Sequence, residues 1–305
     1  MSKKILILVI ILISLGCVLW GIGFCLEYSV RNKIADNILE KDFPKLPALT
    51  EEYSNDYDMD IDSQTTNEGF FELPAFKNIY ISVKAASVKI KHGDEFSISY
   101  QLNEEEEIIT AEVKDDTLHF ISKGADIGRN PSPPHYNVTL TVPQNHNFQN
   151  IEIKTSLGEI KAADLKYKDG YFVSNLGNLE FENQTAENIH CSTDAGNIEL
   201  AGDAQNANIK SEVGNIYVSG KFSKDININT SLGNIDFLGE IQNSGKFETS
   251  AGNITADVND CSINAECDLG TVTLNGSKKG RSLKKEGENP FLKLETSMGS
   301  ITINS

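Results

Sequence analysis

The sequence predicts an all-β fold: a single-chain β-solenoid of the β-helix kind, about nineteen residues per coil, preceded by an N-terminal transmembrane helix. Three observations predict it. A glycine-centred turn motif recurs eight times, apolar residues alternate with period two on both sides of each turn, and an uncharged apolar run opens the chain. Composition agrees: eight prolines and one Trp in 305 residues, with abundant Asn and Ser, favour strands and turns over packed helices. Lys+Arg 27 against Asp+Glu 44 gives a formal net charge of -17. That balance argues against a nucleic-acid binder, which needs a basic face for phosphates. It suits a surface facing solvent, cations or basic partners.

A short tail, 1–4, precedes the predicted span. After Lys3 and Lys4, residues Ile5 to Leu26 carry no charge, and about twenty apolar residues in a helix match the hydrocarbon thickness of a bilayer. Trp20 and Tyr28 suit an interfacial aromatic belt. No small-x-small cleavage site follows, so the run reads as a retained span rather than a signal peptide. Leu15-Gly16-Cys17 matches part of a lipobox, but Ser14 stands where that motif takes Leu, and the run continues past Cys17. Lys3 and Lys4, diluted by Arg31 and Lys33, place the N-terminus inside and the acidic domain outside the membrane.

Residues 27–69 read as an acidic linker. Asn32 to Phe43 could form a short helix, ended by Pro44 and Pro47. Asp56, Asp58, Asp60 and Asp62 alternate as in a calcium loop, but the sixth and twelfth positions hold Ile61 and Asn67 instead of Gly and Glu. A flexible tether of this length spans on the order of 35 Å.

The repeat centres on Gly158, Gly177, Gly196, Gly214, Gly233, Gly252, Gly270 and Gly299, separated by 19, 19, 18, 19, 19, 18 and 29 residues. Five residues before each glycine stand Ile153, Phe172, Cys191, Ile209, Ile228, Phe247, Ala265 and Leu294. Three before it runs a Ser/Thr column interrupted only by Cys267; two after it stand Ile160, Leu179, Ile198, Ile216, Ile235, Ile254, Val272 and Ile301. This is a turn between two short strands, each with one buried face, and one coil alone cannot bury it. Stacking then aligns like residues about 4.8 Å apart. The column Asn178, Asn197, Asn215, Asn234 and Asn253 is expected to hydrogen-bond side chain to side chain, and the Ser/Thr column likewise. Gly202, Gly220, Gly239 and Gly276 are read as the second corner. Cys191 and Cys267 fall in inward columns, as small buried thiols.

Asn78 to Ile90 fits the same columns with Ala86 replacing glycine, so the solenoid is expected to begin there. Phe96–Leu102, Ile108–Val113, Thr117–Ile121 and Tyr136–Val142 are strand-like and read as a hairpin excursion capping the N-terminal end, within a part bounded at 70–150. Regular coils follow over 151–305, interrupted before the last one by a basic insertion, 277–290, with Lys278, Lys279, Arg281, Lys284 and Lys285. Those five cations either discourage edge pairing or contact an anionic envelope polymer or lipid headgroups.

The anchor, the segment Ile-Tyr-Ile-Ser-Val-Lys-Ala-Ala-Ser-Val-Lys-Ile-Lys-His-Gly-Asp-Glu from Ile79, and the Leu-Gly-Asn-Ile ladder resemble one family over Phe70 to Ser305. It is the bacterial "putative adhesin" β-strand-repeat family, domain-of-unknown-function family 4097, which includes the LiaG-like proteins. The resemblance implies a bacterial extracytoplasmic protein and carries over no catalytic or binding residue.

The function expected is therefore a membrane-anchored cell-envelope binding or scaffold protein, adhesive or tied to envelope stress, with an envelope polymer or protein as partner. No catalytic residue, cofactor or metal site is expected. Two alternatives remain open. A polysaccharide-active enzyme would use the neighbouring Glu180 and Glu199, with Asp236 further along; yet stacking brings any column mates to about 5 Å, and no Lys, Arg or His column accompanies them. A cation-binding surface would use acidic columns such as Asp194 and Glu212, although the Gly-Gly-x-Gly-x-Asp calcium repeat is absent.

Overall fold

The computed structural model describes residues 68–102, 106–124, 136–287 and 290–305. The expected tail, transmembrane span and nearly all of the linker lie outside the described residues. Among the described residues no helix is long and apolar enough to cross a membrane.

Twenty-three strands run through the described residues. The N-terminal part holds β1 (Glu68–Glu72), β2 (Asn78–Val83), β3 (Ser87–Gly93), β4 (Ser97–Gln101), β5 (Glu106–Lys114), β6 (Thr117–Gly124) and β7 (Asn137–Pro143). The regular coils hold β8 (Asn147–Leu157), β9 (Ile160–Ala163), β10 (Lys166–Leu176), β11 (Leu179–Ala195), β12 (Ile198–Val213), β13 (Ile216–Phe222), β14 (Asp225–Leu232), β15 (Ile235–Ile241), β16 (Ser244–Ala251) and β17 (Ile254–Val258). The chain finishes with β18 (Ser262–Leu269), β19 (Val272–Leu274), β20 (Ser277–Gly280), β21 (Ser282–Lys285), β22 (Phe291–Met298) and β23 (Ile301–Asn304).

Each coil crosses two parallel faces. Strand residues before the glycine form face A and those after it form face B; β11 and β12 are long enough to serve both. Ile153, Phe172, Cys191, Ile209, Ile228 and Phe247 pair rung by rung along face A, all buried, as the period-two alternation requires. Between the faces, Phe172 packs on Phe181 at 4.5 Å and Phe237 on Phe247 at 5.0 Å between ring centroids. Removing one such ring from a close-packed core costs about 3–5 kcal/mol.

Polar ladders tie the turns together, though not as the sequence suggests. The Ser/Thr hydroxyls do not bond one another. Ser174 donates to the Gly158 carbonyl at 2.8 Å, Thr193 to Gly177 at 3.0 Å and Thr230 to Gly214 at 3.0 Å, each reaching the neighbouring turn. The asparagines likewise do not pair side chain to side chain. The Asn178 Oδ1 accepts from the backbone N–H of Asn197 at 2.9 Å, and the same step repeats from Asn197 to Asn215 and from Asn215 to Asn234. Each side chain thus satisfies a backbone group that the turn leaves outside the ladder. Glycine is needed because turns meet backbone to backbone: a Cβ at Gly177 would overlap the Gly158 carbonyl.

Stack order departs from chain order at both ends. The segment β22–β23 does not form an outermost coil after the insertion. Instead β22 lies between β16 and β18, and β23 between β17 and β19, all parallel. At the other end, β2 lies between β6 and β8, and β3 between β7 and β9. Sequence spacing cannot reveal this, because an interposed coil keeps the same columns as its neighbours.

Antiparallel strands close the ends. β5 pairs with β6, while β4 pairs with β7 and carries β1 beyond it. At the far end β20 pairs with β19 and β21 with β18. Gly276 is therefore not a coil corner. With Asn275 it makes the two-residue turn of the β19–β20 hairpin, φ 48° and 75°, the geometry for which Asn-Gly is preferred. Gly202, Gly220 and Gly239 do stack on one another, but within strands rather than between them.

Candidate functional site

The end segment formed by β20 and β21, which pair with β19 and β18, gathers the five predicted cations. Lys278, Lys279, Arg281 and Lys284 are exposed, and Lys285 is half-buried. They are not equivalent. Lys285 donates to Asp260 at 2.5 Å, which holds that carboxyl below its usual range, and Lys284 lies 3.8 Å from Glu286. Lys278, Lys279 and Arg281 have no ion pair among the described residues. The glycine ladder, by contrast, is structural along its whole length, each turn carbonyl lying against the next turn.

The acidic columns are engaged by lysines. Glu180 does pair in register with Glu199, but Lys161 sits on the other side of Glu180, 3.0 Å from its carboxylate and 2.9 Å from Glu159. A single lysine therefore stands at the end of the carboxylate pair. Glu212 is held by Lys210 at 2.8 Å and accepts the Ser231 hydroxyl at 2.9 Å. Glu248, Glu295 and Glu266 occupy neighbouring strands, with Lys246 and Lys293 paired to the first two. Lys293 keeps the Glu295 carboxyl below its ordinary value. Among the described residues, no group of three or more His, Cys, Asp or Glu is placed to hold a metal ion.

Buried titratable groups pack rather than react. Burial pushes the Cys191 thiol far above its usual range and raises Cys261 and Cys267, so none is a ready thiolate. His190 lies parallel to Tyr171, centroids 4.6 Å apart, with the Lys154 ammonium over the Tyr171 ring at 5.3 Å. Burial, helped by Lys210, lowers the His190 pKa to about 4.

One surface feature escaped sequence reading. The residue immediately before each glycine is aliphatic in every coil: in stack order Leu157, Leu176, Ala195, Val213, Leu232, Ala251, Met298 and Leu269. Alternation would place this column inside, in step with the buried Ser/Thr column two residues earlier. The chain instead bends at the glycine and carries it to the outer corner, where the five large rungs other than Leu157 are 50–61% exposed. The signal was available: eight apolar residues in eight rungs, beside a turn that is otherwise polar.

A two-faced stack of glycine-cornered coils with capped ends defines the class. The chain belongs to the Toastrack family of domains (family 4097), whose model matches residues 76–304. No curated protein matches the chain. Among solved structures, a "putative adhesin" from Bacteroides fragilis is 13% identical, with a TM-score of 0.48, over 78% of this chain and 96% of that one. A "putative lipid binding protein" from Parabacteroides distasonis is 16% identical, with a TM-score of 0.38, over 77% and 95%. A "putative cell adhesion protein" from Clostridium sporogenes is 16% identical, with a TM-score of 0.27, over 78% and 98%.

Proposed function

We propose that this is a membrane-anchored, extracytoplasmic, non-catalytic protein that binds an anionic polymer of the cell envelope through the end segment β20–β21. The observation that carries the reading is the exposure of Lys278, Lys279, Arg281 and Lys284 together on one end of a chain whose net charge is -17. Most other lysines near carboxylates are paired within the chain, as Lys161, Lys210, Lys246 and Lys293 are. Lys278, Lys279 and Arg281 offer donors to an external anion instead. The backbones of β20 and β21 cover the edges of β19 and β18 while their side chains remain available, so covering the edge and binding do not compete. The uncharged run Ile5 to Leu26 supports anchoring, and the acidic tether supports a domain held clear of the headgroups.

The test is the full-length chain carrying Lys278→Gln, Lys279→Gln, Arg281→Gln and Lys284→Gln, assayed against purified anionic wall polymer across a salt series. Binding by the parent chain should weaken steeply with salt, and the variant should lose most of it while keeping the parent's melting curve. Equal binding by parent and variant removes this reading.

A further inference from the structure

We propose that the aliphatic ridge is a homodimer contact, in which two copies of this chain pack ridge to ridge, antiparallel, about a two-fold axis through Val213. The ridge is self-complementary in size. Ala85 extends it past Leu157, because Ala86 holds the place of the glycine in the coil formed by β2 and β3. An axis through Val213 sets Ala195 against Leu232, Ala251 against Leu176 and Ala85 against Leu269. Every alanine then meets a large side chain, knob against hollow, which is what a close-packed interface requires. Moving the axis half a rung towards Leu232 would set Ala195 against Ala251 and leave a void. Even rung spacing lets both ridges keep this match along their length.

Area and charge favour a second copy. The half-exposed large rungs present on the order of 500 Å² of apolar surface, already at the upper end for a patch on a monomer. With the flanking Asn and Ser side chains included, each copy would bury about 800 Å², a standard interface. On one flank the asparagine column carries a single charge, Glu159, which the axis sets against Ser300; on the other the same axis sets Lys84 against Asp268 at both ends of the ridge. Glu212 faces its own counterpart near the axis, but it is already paired with Lys210 at 2.8 Å. A lipid surface suits the ridge less well, since Glu159, Asp194, Glu212 and Asp268 border it and anionic headgroups repel them. Two chains of charge -17 repel at long range, so this contact should tighten as salt screens them.

The experiment uses the full-length chain, with Cys17 and Cys25 replaced by serine. In mild detergent at micromolar concentration, sedimentation should give twice the chain mass, with a dissociation constant that falls between ~50 and ~500 mM salt. Leu176→Ser with Leu232→Ser should raise that constant at least about tenfold at an unchanged melting temperature. Should the double variant fail to fold, cross-linking in membranes with a short bis-maleimide still decides. Val213→Cys should join to itself, while Leu269→Cys should join only to Ala85→Cys in a mixed sample. A monomer throughout, a dimer indifferent to the ridge substitutions, or equal self-joining at positions 269 and 213 would each overturn the proposal.

Discussion

The middle of the stack and its C-terminal end are built from the same columns but assembled by different rules. From β8 to β17 each coil rests on the one synthesised just before it, so register is local and every turn contacts its predecessor. At the end, β18–β19 leaves a coil's width open beside β16–β17, and the last segment of the chain fills it. Stability in the middle is therefore a sum over neighbours, as in other solenoids, whereas the end depends on one segment pairing on both sides at once.

The largest effect expected from this difference comes from deletion. Removing residues 216–234 excises one whole middle coil and joins Asn215 to Ile235 with every column intact. That protein should remain folded by circular dichroism, its melting temperature lowered by only a few degrees. Removing everything from Phe291 onward takes away a shorter piece but strips partners from β16, β17, β18 and β19 together, and the product should aggregate or unfold at room temperature. Equal melting temperatures for the two deletions would abolish the distinction.

A single Cβ in the middle comes next. Gly233→Ala drives its methyl into the Gly214 carbonyl, backbone against backbone, and should cost about 3 kcal/mol or more in chemical denaturation. The same change at Gly276, where nothing lies within 4 Å, meets only the strain of positive φ and should cost about 1 kcal/mol.

Acid sensitivity should reside in a regular coil. The folded His190 pKa, about 4, is below the ordinary value because burial disfavours the imidazolium. The folded protein therefore binds fewer protons than the unfolded chain between these values. Its contribution is complete above pH ~6.5 and is lost as pH falls towards 4, on the order of 3 kcal/mol in all. His190→Gln should flatten that part of the stability–pH curve relative to the parent chain.

The smallest contrast lies in the hydroxyl column. Thr230→Val removes the donor to the Gly214 carbonyl and should cost about 1 kcal/mol. Cys267 occupies the same column at the end of the stack, where Gly270 lies against the Gly299 carbonyl. Cys267→Thr would supply the missing donor and should stabilise by up to about 1 kcal/mol.

Sequence made the middle legible because its information is periodic. Isoleucines two residues after each glycine report burial directly, and Ile160, Ile198 and Ile254 are all fully inside. What escaped was geometric. The leucines at 176 and 232 have the parity of core residues, and only the bend at the following glycine puts them outside. The order of the last coils escaped because Thr296 and Cys267 fit one column equally well whichever lies nearer the middle. Asn275-Gly276 was a readable hairpin turn, obscured by giving its glycine a place in the repeat. For the candidate site, sequence located all five cations, but only side-chain placement separates the paired Lys285 from Lys278, Lys279 and Arg281.

The interposed coil also carries a consequence for how the molecule is made. Emerging from its N-terminus, the chain completes the lid before the layer that belongs beneath it. The stack cannot finish by accretion: the lid must stand off, admit the final strands, and close. Such a step requires long-range pairing on two sides and sets a slow last phase on folding. Once closed, β23 is clasped between β17 and β19, so its backbone amides exchange with solvent only when the whole end opens.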